Sequence, residues 1–212
     1  MRRFLNAVLW VALILGVIVG IARLTCLRWW QIPADDPYLD SSISPTLRGG
    51  DWILLWRATS PDFGDLALCD EPKSTGRLVI GRIAGTADDT LKIAKETLWL
   101  AGRPVPTETD CDRFSERDPR TRLEVDQSCD LEQLGSRLHM RGNTAQQTLK
   151  PLDAEIKVPR GQFALVSDNR LFPYDSRDFG PVQTGACRET VVFRLVSKDG
   201  YFDVKNRLTF IH

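Results

Sequence analysis

Phe4 to Ala22 is an almost unbroken apolar run of nineteen residues, interrupted only by Asn6. As a helix, a run of that length covers about 30 Å, the thickness of a bilayer's hydrocarbon core. Arg2 and Arg3 precede it and Arg23 follows. A cleaved signal peptide shares the positive start and the apolar core, and Gly20-Ile21-Ala22 has the small-x-small form of a cleavage site. The length of the run, and the lack of a polar stretch before that site, favour a retained anchor. The basic start places the amino terminus in the cytoplasm, although Arg23 and Arg28 work against that bias. Residues 1–26 therefore read as a membrane anchor and residues 27–212 as a domain on the far side. Trp29 and Trp30 suit either an interfacial aromatic belt or core packing.

The 212 residues suffice for one domain with a sizeable core. Lys+Arg and Asp+Glu balance at 28 each, and no basic run is long enough to follow a phosphate backbone, which excludes a nucleic-acid partner. Cys26, Cys69, Cys111, Cys129 and Cys187 lack the paired short spacing of a zinc site. With only His139 and His212 besides, no metal and no cofactor are expected.

Short apolar segments separated by turn residues point to strands. Phe63 to Cys69 alternates as a half-buried strand does. Leu78–Gly85, Thr90–Ile93, Thr97–Val105 and Gly161–Val166 follow in the same style, and Glu189–Val196 and Tyr201–Val204 close the chain as β-rich segments. Residues 107–150 are polar and charged with little periodicity, which predicts a small inserted loop region. Val166 to Val182, VSDNRLFPYDSRDFGPV, packs acids, arginines and Asn before Gly180-Pro181 and reads as a tight, hydrogen-bonded crossing.

Within that crossing, Asp168-Asn169-Arg170, a spacer, Asp175-Ser176-Arg177 and then Phe179-Gly180 resemble the last signature box of the type I signal peptidases. These are membrane-anchored serine endopeptidases that remove signal peptides from exported proteins. Ser167 stands at the box's first Gly, and Asp178 replaces an aromatic. Other segments agree in order: Ser42-Ile43-Ser44-Pro45-Thr46-Leu47 with Gly50-Asp51, then Gly64-Asp65, then Arg82-Ile83 with Gly85 and Asp89, and the Leu98–Val105 hairpin. The resemblance implies a mainly antiparallel β fold with one N-terminal transmembrane helix, at the outer face of a bacterial inner membrane. It also implies membrane lipid and a signal peptide or exported segment as partners, the peptide held by strand addition. The oligomeric state stays open.

By the same resemblance Ser42 stands in the nucleophile position, and Asp168, Asn169, Arg170, Asp175, Ser176 and Arg177 support the site. The general-base lysine position is Gly81. A serine hydroxyl needs a group to take its proton, and glycine has none; Arg82 stays protonated in proteins. Pro173 occupies the place of a serine that would bond the lysine, and Asp40 the place of an oxyanion-binding hydroxyl, where a carboxylate opposes developing negative charge. The box spacing from Ile32-Pro33 to Ser42 is also longer than in the family. These departures lead to impaired peptidase activity, or alternatively to a non-cleaving homologue that binds exported substrates or an envelope assembly partner. On the outer side of a membrane, Cys111 and Cys129 meet oxidising conditions and are expected to pair. Cys69 with Cys187 is a second candidate pair.

Overall fold

The computed structural model describes residues 2–144 and 153–211. Helix α1 (Arg2–Thr25) leads into β1 (Leu27–Gln31), the short helix α2 (Pro37–Ile43), β2 (Trp52–Trp56), β3 (Leu66–Asp70) and β4 (Leu78–Gly85). There follow β5 (Thr90–Ala94), β6 (Thr97–Leu100), β7 (Arg103–Pro104), β8 (Thr107–Arg117), β9 (Glu124–Leu134) and β10 (Arg137–Thr144). The chain closes with β11 (Ala154–Lys157), β12 (Gln162–Val166), α3 (Ser176–Phe179), β13 (Val182–Gln183), β14 (Cys187–Val196) and β15 (Thr209–Phe210). The protein is mainly β, and its strand pairings are antiparallel.

The main sheet runs β1-β2-β14-β3-β4-β12-β13, with β15 on β14; two smaller sheets run β10-β9-β8 and β11-β5-β6-β7. Its central strands are apolar on both faces because each face meets a different core. Leu66 and Leu68 of β3 join Leu39 and Ile43 of α2, together with Ile80 of β4. Ala67 and Cys69 point the other way, to Val79, Ile83, Leu165 and Phe179. A third core gathers Ala84, Leu91, Ile93, Leu98, Ala164 and Val166. The half-buried reading of residues 63–69 is thus corrected: Leu66 to Cys69 are all buried.

Two further expectations change. Residues 107–144 do not form a loop region but the β8-β9-β10 sheet; residues 145–150 of that insertion lie outside the described residues. Hydrophobic periodicity missed the sheet because its inward positions are polar: Gln127, Glu132, His139, Arg141 and Asn143 are buried, whereas Leu138 faces out. Tyr201–Val204 is turn rather than strand, and the last strand is β15. Phe202, 92% exposed, has no core to enter.

Both expected disulfides are present, Cys69–Cys187 joining paired β3 and β14, and Cys111–Cys129 joining paired β8 and β9. Trp30 packs against the first core, while Trp29 is 48% exposed. Helix α1 is 24 residues long. Among the described residues, no helix is long and apolar enough to cross a membrane.

Candidate active site

Helix α2 starts where Asp36 accepts from the amides of Tyr38 and Leu39, with Pro37 in the first turn, an arrangement that satisfies orphan amides at a helix start. This short helix packs against β4, the strand that carries Gly81. Ser42 lies in its last turn, fully buried. Its Oγ donates to the Leu39 carbonyl at 3.0 Å, so its proton is engaged by a carbonyl oxygen and not by a base. The Ser42 carbonyl accepts from the Asn169 amide at 3.0 Å, which ties this helix to the Asp168-Asn169-Arg170 segment. Asp40 serves a turn: its Oδ1 accepts from the Gly49 amide at 2.7 Å.

Gly81 is buried on β4 opposite Ala67 of β3. A Cβ there would stand 3.0 Å from the Leu165 Cβ and 3.6 Å from its Cδ1. A side chain at position 81 would therefore start in tight contact with Leu165 of the neighbouring strand β12, which would have to give by a few tenths of an ångström. Lys92 and Lys95 are exposed.

Three signature segments meet in one buried group. Asp168 takes Arg82 Nε on Oδ1 at 2.9 Å and the guanidinium's Nη2 on Oδ2 at 3.0 Å, a bidentate pair with both side chains buried. Thr46 Oγ1 donates to the same carboxylate at 2.6 Å. Arg82 also donates to the Gly64 carbonyl. Asn169 Oδ1 accepts from the amides of Leu171 and Phe172, turning the chain. Arg170 donates to the Ser167 carbonyl and to Glu132.

The second half of the crossing caps β12. Asp175 accepts the Ser167 amide at 2.7 Å, and Ser176 Oγ accepts the Leu165 amide at 2.9 Å. Arg177 lies on Asp175 at 2.9 and 2.7 Å, both side chains buried. Asp178, in the place of an aromatic, accepts the Asp175 amide and completes a capping box for α3. Ser167, in the place of a glycine, accepts the Tyr174 amide. Both departures from the family pattern thus carry local hydrogen bonds.

The structure adds residues that the sequence did not single out: Glu132, His139 and Arg141 from the inserted sheet. Arg141 reaches Glu132 at 3.3 Å and Asp130 at 2.8 Å. His139 Nε2 lies 3.4 Å from Glu132 and 3.8 Å from Asp168. Burial, then the Arg82 charge, lower the His139 pKa against the pull of both carboxylates, so the imidazole is neutral near pH 7. Burial alone would raise Glu132, but Arg170, His139 and Arg141 outweigh it and hold its pKa at about 2. Asp168 is likewise held low, by Arg82 and His139 against burial. The available signal was charge at inward positions of an extended segment, which carries no hydrophobic period.

These shifts fix the sign of a pH dependence. Glu132 contributes stability that is complete above its ordinary value of 4.5 and is lost as pH falls towards 2. His139, ordinarily 6.5, takes up a proton more readily in the unfolded chain, so stability also falls as pH drops below 6.5. Asp51 and Glu116, raised by burial, act in the opposite sense, so parent and variant must be compared. Urea denaturation at pH 7 and 5.5 is expected to show a smaller loss on acidification in His139→Gln than in the parent. Equal losses would remove His139 from this account.

A cleft of about 750 Å³ opens beside the site, bordered by Asp40, Pro45, Arg48, Glu116, Arg194 and Lys198. Ser42 does not line it. No group of three His, Cys, Asp or Glu among the described residues is placed to hold a metal ion.

The sequence profile of the family described as "Signal peptidase, peptidase S26" matches residues 5–196. The chain is similar to "Signal peptidase I V" of Bacillus subtilis (strain 168), 25% identical over 146 residues, which is 67% of this chain and 73% of the relative. With the profile spanning nearly its whole length, and the buried Thr46–Arg82–Asp168 group joining three signature segments, the chain belongs to the signal peptidase family, peptidase S26.

Proposed function

We propose that this protein is a membrane-anchored signal-peptidase-like protein that engages signal peptides of exported proteins at the outer face of a bacterial inner membrane, with peptide hydrolysis strongly impaired. The observation that carries this reading is Leu165 packed against Gly81. The family's base position has no side chain, and a Cβ there would already press on Leu165. Ser42, the nucleophile position, directs its proton to a carbonyl instead. Anchoring by α1 is supported by the exposure of Val8 to Val19 along its length, an apolar surface that only lipid or another apolar partner would cover. Two disulfides fit an oxidising, extracytoplasmic location. The same lack of a base at Gly81 favours the second reading, a non-cleaving homologue that binds exported substrates or an envelope assembly partner.

The test is cleavage of a signal-peptide-bearing preprotein by the full chain in detergent, beside a lysine-bearing signal peptidase, with signal-peptide binding followed in parallel. Loss of a general base lowers a rate by about 10² to 10⁴, and a deficit of at least that size is expected. Gly81→Lys is expected to restore nothing and to destabilise by about 1–3 kcal/mol through overpacking against Leu165, read from the urea midpoint. Gly81→Lys with Leu165→Ala should recover part of that stability. Full-rate cleavage that Ser42→Ala abolishes would sink the impaired-activity reading; silence with peptide binding retained would select the binding homologue.

A further inference from the structure

Arg77, the residue before β4, ties three segments together. Its Nη2 donates to both carboxylate oxygens of Asp36, at 3.1 and 2.8 Å. Its Nη1 donates to the Tyr174 hydroxyl at 2.9 Å, and the guanidinium carbon lies 4.4 Å from the centre of the Tyr174 ring. The Tyr38 ring stands 5.9 Å from the same ring, and Phe179 meets it edge-on at 5.6 Å. Asp36 caps α2 and Tyr38 lies in its first turn, on the helix that carries Ser42. Tyr174 belongs to the crossing that follows β12. One guanidinium thus fastens the start of α2 to the start of β4 and to the crossing.

Beneath this fastening lies an incomplete ladder. On one side β3 pairs with β4 from Leu78 to Arg82. On the other, β12 pairs with β4 only from Arg82 onwards, with Val166 opposite Arg82. Residues 78–81 therefore have, among the described residues, one edge without a strand partner. Such an edge offers backbone amides and carbonyls to an extended peptide. It is nevertheless shut, since Val79, Ile80 and Gly81 are buried. Leu39 and Ile43 of α2 share a core with Ile80, and Tyr174 packs on the core that holds Val79. The fastening is of a kind that opens. The Arg77 and Asp36 side chains are 32% and 23% exposed, and water and salt weaken an ion pair in that position. Ala34, Asp35 and Tyr38 are exposed, so the contacts of Asp36 and Tyr38 carry much of the hold.

We propose that residues 34–38 form a strap over the free edge of β4, fastened by Asp36 and Tyr38 to Arg77 and Tyr174, and that a signal peptide takes this edge only when the strap lifts. The inference rests on the reading that the protein engages signal peptides. A binding state that is only fractionally populated lowers the apparent affinity by that fraction, so loosening the strap tightens binding.

The experiment uses the full chain in uncharged detergent micelles and a fluorescein-labelled synthetic signal peptide. Binding is read by anisotropy and the strap by hydrogen exchange. Asp36→Asn keeps a residue that caps a helix start but removes the charge that holds Arg77. It is combined with Tyr38→Ala. Arg77 stays, because removing it strands Glu71, whose side chain is 3% exposed. The double variant is expected to bind the signal peptide roughly ten-fold tighter than the parent. Its residues 34–39 and 78–81 should exchange faster, while β9 exchanges as before. Asp36→Asn alone should move both readouts the same way by less, and it serves if the double variant does not fold. In the parent, saturating peptide should slow exchange at residues 78–81 and speed it at residues 34–39; only displacement of the strap gives opposite signs. Binding no tighter in either variant, or peptide that slows both segments, would overturn the proposal. If neither parent nor variant binds the peptide, the signal-peptide reading fails and exchange decides the strap. Faster exchange at residues 78–81 in Asp36→Asn then upholds the strap, and unchanged exchange overturns it.

Discussion

Glu132→Ala is expected to destabilise the protein by about 3–5 kcal/mol, the usual consequence of removing one partner from a buried ionic group. Glu132 is fully buried and holds Arg170, which is itself fully buried, as well as Arg141 and the neutral His139. Without the carboxylate, the Arg170 guanidinium keeps the Ser167 carbonyl as its one side-chain hydrogen-bond acceptor among the described residues. Arg141 would still have Asp130, so the loss falls mainly on Arg170. Asp130→Ala makes a useful contrast, since that carboxylate is partly exposed and its pair with Arg141 is better hydrated. Urea denaturation of the two variants should show a much larger midpoint shift for Glu132→Ala. Equal, small shifts would mean that the cluster does not hold the inserted sheet to the Asp168-Asn169-Arg170 segment.

The second large effect belongs to the Cys69–Cys187 disulfide, which links residues 118 apart in sequence. Chain-entropy reasoning gives about 5 kcal/mol for a loop of that length, and about 3 kcal/mol for Cys111–Cys129, whose separation is 18. Both Cys69 and Cys187 are buried among Val79, Ile83, Leu165 and Phe179, so their replacement by alanine also removes packed sulfur. The Cys69→Ala/Cys187→Ala variant is therefore expected to be less stable than Cys111→Ala/Cys129→Ala in urea denaturation without reductant. The reverse order would show that loop closure is not what these bridges contribute.

Much of the architecture was legible because it repeats with a simple period or carries a recognisable spacing. The strands around Leu66–Asp70, Leu78–Gly85 and Gln162–Val166 announce themselves by apolar runs bounded by turns, and the disulfide partners lie on strands that pair directly. The inserted sheet stayed hidden for a physical reason. Its inward positions hold Gln127, Glu132, His139, Arg141 and Asn143, polar side chains that give no hydrophobic period, and the buried Glu132 is paired with Arg170, a partner distant in sequence. Residues 201–204 misled in the opposite way: Tyr201, Phe202 and Val204 have β-forming side chains but no sheet edge or core to meet.

At the site, the sequence by itself determined which side chains exist: a serine at 42, glycine at 81, proline at 173, and the acids and arginines of residues 168–177. From these alone follow the family resemblance and the proposal that Gly81 leaves the base position empty, because chemistry and spacing are written in residue identity. Only the tertiary structure decided that Leu165 packs against Gly81, that Ser42 bonds the Leu39 carbonyl, and that Glu132 and His139 lie beside Asp168 in one buried group. Those facts depend on strand register and on contacts between segments far apart in the chain. A one-residue shift in strand register would turn Leu165, Glu132 and His139 to the opposite face.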